Sequence, residues 1–152
     1  MEASILEQTK AQAQVLLPIY NELKSEFGEE KATSTMHQAM EKWGIETGKQ
    51  INHMIPGNPV ERIAIVTPYY AADNALDFEI LKQTTEEFEY RVTRCQYAEH
   101  YKQLGEPELG YRFVCAHDFS IAAGISADLE LDREHTIMQG DQFCHFCYKL
   151  KK

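Results

Sequence analysis

The sequence predicts an α+β fold: an N-terminal helical layer packed on a mostly antiparallel sheet of about four strands, with two helices inserted between the hairpins. Three observations predict it. Apolar residues in positions 1–55 recur at helical spacing. Two later runs, Leu76-Phe78-Ile80 and Phe88-Tyr90-Val92, alternate with polar residues as half-buried strands do. Between the two regions stands Pro56-Gly57-Asn58-Pro59, the strongest turn signal in the chain. One domain over residues 1–152 is expected, with 1–55 helical and 59–152 forming the α+β portion that carries the chemistry.

The elements follow in order. Leu6, Ala13, Leu16, Leu17, Tyr20, Leu23 and Phe27 mark a helix over 5–27, which Pro18 should kink or split and Gly28 should cap. Ala32, Met36, Ala39, Met40 and Trp43 mark a second helix over 29–43. Gly44 should break it, a short piece over 45–53 should follow, and Gly48 would permit close helix contact. Asn58 as cap and Pro59 at the first position fit a helix to Tyr70, with a strand competing because Val60, Ile63 and Val66 are β-branched. After the first hairpin, which turns through 83–87, a helix is expected over 96–104 and another from Pro107 to near Gly124. Two strands, 128–138 and 143–150, turning through Gln139-Gly140-Asp141, complete the reading.

Bulk properties exclude several functions. The net charge of −9 argues against nucleic acid, and the basic residues at 149–152 read as a solvated tail. No apolar run approaches the roughly 20 residues that span a bilayer. The N-terminus shows no basic region followed by an apolar one, so no signal peptide is expected. A cytoplasmic, reducing setting follows, in which the four cysteines stay free for chemistry or metal. Leu16, Leu17, Met36, Met40 and Trp43 either cover the sheet or build a homo-oligomer through the N-terminal helices.

The reactive residue types concentrate between Cys95 and Tyr148. Cys95 falls where a strand gives way to a helix, a position whose dipole favours a thiolate. Cys115 and Asp118, three apart on a helix, share a face. On that face Cys115 reads as nucleophile or ligand and Asp118 as its base or orienter, unless Asp118 merely pairs with Arg133 or Arg112. Cys144, Phe146 and Tyr148 share one face of a strand, which sets Cys147 on the other and makes Cys144–Cys147 a poor chelating pair. His117 should point away from Cys115, and His135 should be structural. The alternative to a thiol enzyme is a zinc or other metal site built from Cys95, Cys115 and Cys144 with Asp118 or His145. A further alternative is a ligand sensor or carrier with no reactive thiol.

Val92-Thr93-Arg94-Cys95-Gln96-Tyr97-Ala98-Glu99, Leu104-Gly105-x-Pro107-Glu108-Leu109-Gly110, Cys115-x-x-Asp118, Leu129-Glu130-Leu131-x-Arg133, Thr136-Ile137-Met138-x-Gly140-Asp141 and Cys144-x-Phe146 together resemble the L-2-amino-thiazoline-4-carboxylate hydrolase family. The resemblance covers about residues 92–148, and His145 stands where the family usually has aspartate. It implies ring-opening hydrolysis of a small cyclic C–N/C–S substrate, giving N-carbamoyl-L-cysteine in the named case. A thiolate, or a water held by Asp118, would attack the ring carbon between sulfur and nitrogen. The expected catalytic set is Cys115, Asp118, Cys95 and Cys144, with Arg133 clamping the substrate carboxylate, His145 at the substrate and no metal or other cofactor.

Overall fold

The computed structural model describes residues 2–152 and has the expected α+β architecture. Helix α1 spans Ile5–Phe27, α2 spans Glu29–Met54 and α3 spans Pro59–Tyr70. Strands β1 (Leu76–Gln83) and β2 (Glu87–Cys95) form the first hairpin. Then come α4 (Gln96–Gln103), α5 (Pro107–Gly110), a π-helical turn over Tyr111–Cys115 and α6 (His117–Ile125). Strand β3 (Leu129–Asp132), a 3₁₀ turn (Ile137–Gln139) and β4 (Cys144–Leu150) close the chain. All pairings are antiparallel and the strand order is β1-β2-β4-β3, so β4 sits inside the sheet although it is synthesised last of the four.

Local chemistry explains most boundaries. Ser4 and Glu7 form a capping box at the start of α1, and Asn58 and Glu61 form one at α3, where Pro59 adds its preset φ. That reciprocal cap resolves the helix-or-strand ambiguity of residues 59–70 in favour of helix. Gly28 ends α1 at φ 85, a conformation that favours glycine.

One alternative is resolved and two expectations are corrected. Pro18 lies inside α1 without splitting it. Gly44 does not break α2, which runs unbroken for 26 residues. Gly44 and Gly48 instead let α2 lie against α6: a methyl on Gly44 would meet Ser120 and His117, and one on Gly48 would meet the Ile121 carbonyl and Gly124. Close packing against a neighbouring helix outweighs the roughly 1 kcal/mol that an interior glycine costs a helix. The last hairpin is also not the long one expected, because pairing of β3 stops at Asp132. Residues 133–143 leave the ladder, and Thr136 caps the 3₁₀ turn through its hydroxyl.

One face of the sheet is covered. Phe88, Tyr90, Val92, Cys144, Tyr148, Leu129 and Leu131 pack with Val60 and Ile63 of α3 and with Ile121, Ala122 and Ile125 of α6. A second cluster joins α1 and α2 to Tyr101, Leu109, Phe113 and Met138. Met36 and Met40 are buried in it, so they are not available to an intersubunit surface. Exposed apolar residues on the two helices include Val15, Ile19, Phe27 and Trp43. Among the described residues no helix is long and apolar enough to cross a membrane.

Candidate functional site

Between the helical layer and the sheet lies a cavity of about 290 Å³. Its floor is the covered face of β2 and β4, presenting Tyr90, Val92, Cys144, Phe146 and Tyr148. One wall is the π-helical turn and α6, which supply Cys115 and Asp118, and Cys95 contributes from the end of β2. The chain thus brings the three expected thiols and the expected carboxylate to one space, although 49 positions separate Cys95 from Cys144. The period-two alternation of β4 is realised, whereas Cys115 and Asp118 reach the cavity from two consecutive elements, the π-helical turn and α6, rather than from one regular helix.

Arg133 is the residue around which the cavity's charge is arranged. It lies one position beyond the end of β3, where the chain has left the sheet, and its side chain is 1 % exposed. Its Nη1 donates to Asp118 Oδ2 at 2.6 Å and to the Cys115 carbonyl at 2.8 Å. The guanidinium carbon lies 4.8 Å from the centre of the Phe119 ring and 5.3 Å from that of Phe146. Its Nε and Nη2 are buried and have no hydrogen-bond partner. Those two nitrogens form one edge of the guanidinium, with parallel N–H groups at the spacing of a carboxylate.

Electrostatics divides the acid from the thiols. Asp118 is pushed up to about 6, because removal from bulk water outweighs the pull of Arg133. About a quarter (26 %) of its side chain remains accessible, and the residue lines the cavity. Burial drives Cys115 well above the ordinary thiol range, with the Asp118 charge adding to the rise. Burial also raises Cys144, and it lifts Cys95 to about 11. Cys95 does cap α4, its Sγ accepting from the Ala98 N–H at 3.4 Å. The expected stabilisation of a thiolate there is nevertheless overturned, since desolvation exceeds the helix-end effect. At neutral pH the three thiols are protonated and Asp118 is mostly ionised.

Other expectations fall differently. His145 is not in the cavity. It projects from the opposite face of β4, with Nε2 2.6 Å from Glu89 Oε1, and the expected contact with substrate is corrected accordingly. Cys147 shares that face, its Sγ 3.4 Å from Glu87 Oε1. His135 sits outside the cavity against Phe143 and near Asp141. His117, expected to point elsewhere, lines the cavity and stacks on Trp43 with ring centres 4.4 Å apart. Burial lowers its affinity for a proton. Among the described residues no three His, Cys, Asp or Glu side chains are grouped to hold a metal ion. Sequence reasoning gave no site role to the tyrosines Tyr70, Tyr90, Tyr97 and Tyr148, whose phenols are held protonated chiefly by burial, with the Asp118 charge adding to the effect.

The fold and site define a class: an α+β chain that encloses a small, mainly apolar chamber with one paired carboxylate and guanidinium in its wall. Within that class the chain belongs to the L-2-amino-thiazoline-4-carboxylic acid hydrolase family, whose model matches residues 8–148 and so takes in the helical N-terminus as well as the motifs of 92–148. No curated protein matches the sequence. Solved structures that share the fold include two of unrelated roles. The phenol-responsive sensory domain of the transcription activator PoxR, determined with phenol, is 12% identical with a TM-score of 0.52, covering 93% of this chain and 74% of that one. A trafficking protein particle complex subunit 3 from Naegleria fowleri, covalently bound to palmitic acid, is 8% identical with a TM-score of 0.52, covering 95% and 96%.

Proposed function

We propose that the chain is a ring-opening hydrolase of a carboxylate-bearing C–N/C–S heterocycle, with Asp118 as the group that moves protons and Arg133 as the clamp for the substrate carboxylate. The observation that carries this reading is the buried Asp118–Arg133 pair, which leaves one guanidinium edge unpaired beside a carboxylate poised near neutrality. Asp118 takes a proton from water as its oxygen bonds to the ring carbon between sulfur and nitrogen. The carbon–sulfur bond then breaks with its electron pair passing to sulfur. One water proton ends on the ring nitrogen and the other on sulfur, which gives an open-chain thiol. Cys95, Cys115 and Cys144 act in this reading as neutral thiols that wall the reacting ring, because a protonated thiol is a weak nucleophile.

Thiol release from 2-amino-thiazoline-4-carboxylate tests the proposal. Asp118→Asn should lower turnover by about a hundredfold or more, as loss of a general base does, while Cys115→Ser stays within a few-fold. Turnover that survives Asp118→Asn would refute the assignment. A second reading, reversible binding without turnover, is favoured by the protonated thiols and by the likeness to a phenol-responsive sensory domain and a palmitic acid-bound subunit. Saturable binding of the same compound with no thiol released would select it.

A further inference from the structure

The chamber is larger than the family's named substrate requires. A volume of about 290 Å³ stands at the lower edge of cavities that enclose drug-sized ligands, about 300–1,000 Å³, and well beyond a single five-membered ring acid. The fixed polar anchor, Arg133 with Asp118, occupies one part of its wall. Elsewhere the lining is mainly apolar, with Ile5 of α1, Ile63 and Val66 of α3, Leu76 of β1 and Val114 of the π-helical turn, interrupted by Gln8 of α1 and Thr67 of α3. Thr9 and Gln12, on the same helix as Ile5, also border the space.

From this geometry we infer that the ligand of this site is a monocarboxylate carrying an apolar tail, alkyl or aryl, which fills the space between α1 and α3 while the carboxylate takes the free Nε–Nη2 edge of Arg133. The inference rests on the carboxylate-clamp reading of Arg133 and deepens it by naming the substrate class. Two physical terms support it. Two buried guanidinium donors without partners are each left short of a hydrogen bond, and a carboxylate satisfies both at once. An apolar chamber this size gains little from a small polar ring, whereas each buried methylene tightens binding roughly fourfold.

Calorimetric titration of the whole chain with butanoate, octanoate, dodecanoate and octanol tests the inference. Octanoate should bind at least tenfold more tightly than butanoate, and at least tenfold more tightly than octanol, which has the tail but not the matching head. Thr9→Trp, on a partly exposed position of α1, should shrink the apolar space. It should weaken octanoate and dodecanoate about tenfold and leave butanoate unchanged. Affinity independent of chain length, octanol binding as well as octanoate, or no binding by any of the acids would overturn the inference. Equal weakening of butanoate and octanoate by Thr9→Trp would also overturn it. These outcomes are separate from the hydrolysis assay: failure of Asp118→Asn to slow turnover leaves the chain-length series untouched, and a flat series leaves the proton-transfer role of Asp118 standing.

Discussion

At the scale of single residues, the Asp118–Arg133 pair sets what pH should do. The native carboxyl sits at about 6, above its usual 3.8. A raised acid favours the fold while it is protonated, so its contribution is complete below about pH 4 and is lost as pH rises through about 6. Ionisation in the same interval creates the base. Turnover should therefore climb through about pH 6 and level off above it, while the melting temperature loses the Asp118 contribution over the same rise. In Asp118→Asn that part of the melting-temperature profile between pH 4 and 6.5 should flatten, which differential scanning calorimetry reads directly. The thiols make a separate prediction. With Cys95, Cys115 and Cys144 all held above their ordinary range, iodoacetamide at pH 7.5 should modify none of them faster than a free model thiol, as mass spectrometry of the intact chain would show. Residue type and spacing were enough to bring these four groups to one site. They could not reveal which would be ionised, because that depends on water excluded by residues far away in the chain, such as Ile63 and Tyr148. His117 was misplaced for a related reason. The cavity takes in Phe113, Val114, Cys115, His117, Asp118 and Ile121, an arc wider than one helical face.

At the scale of elements, the contact of α2 with α6 depends on Gly44, Gly48 and Gly124. A methyl on Gly124 would run into the Ile45 carbonyl, as one on Gly48 would run into that of Ile121. Gly48→Ala should destabilise the fold by about 1–3 kcal/mol or more through overpacking, measured by urea unfolding. Gly105→Ala, at φ +74 with open space around it, should lose only the roughly 1–2 kcal/mol of left-handed backbone strain. The close-contact role of Gly48 could be read from the sequence, but that of Gly44 could not. A lone glycine in a helical run signals a break unless its packing partner, here Ser120 and His117 some seventy positions away, is known. The π-helical turn over Tyr111–Cys115 was equally hidden, since its residues have ordinary helical composition. Its effect is to change the angular placement of Cys115 relative to α5, and such turns recur where a helix presents functional groups. Deleting Val114 should restore ordinary winding, rotate the preceding residues by about 100° relative to α6 and abolish carboxylate binding.

At the scale of the whole molecule, the sheet is dressed on one side only. Its covered face forms the floor of the chamber, and its other face carries Glu89, His145 and Cys147. The order of the layers was legible because period-two and period-3.6 patterns occupy separate stretches of the chain. The strand order was not, because nothing local distinguishes β4 as an interior strand. The helical layer closes the chamber from above, so a carboxylate that fits should raise the melting temperature in proportion to the logarithm of its concentration, a shift that Arg133→Lys should reduce by removing the planar fork. The central place of β4 also governs how the molecule is born. Ile5 and Tyr148 border one space, and β3 has no strand to pair with until β4 has emerged from the ribosome. From the completion of β2 at Cys95 until β4 is made, the growing polypeptide must carry a half-built sheet whose β2 edge has no partner on the β4 side. Nascent chains halted before Cys144 should accordingly be captured by chaperones and cut by proteases, and those that include Leu150 should escape both.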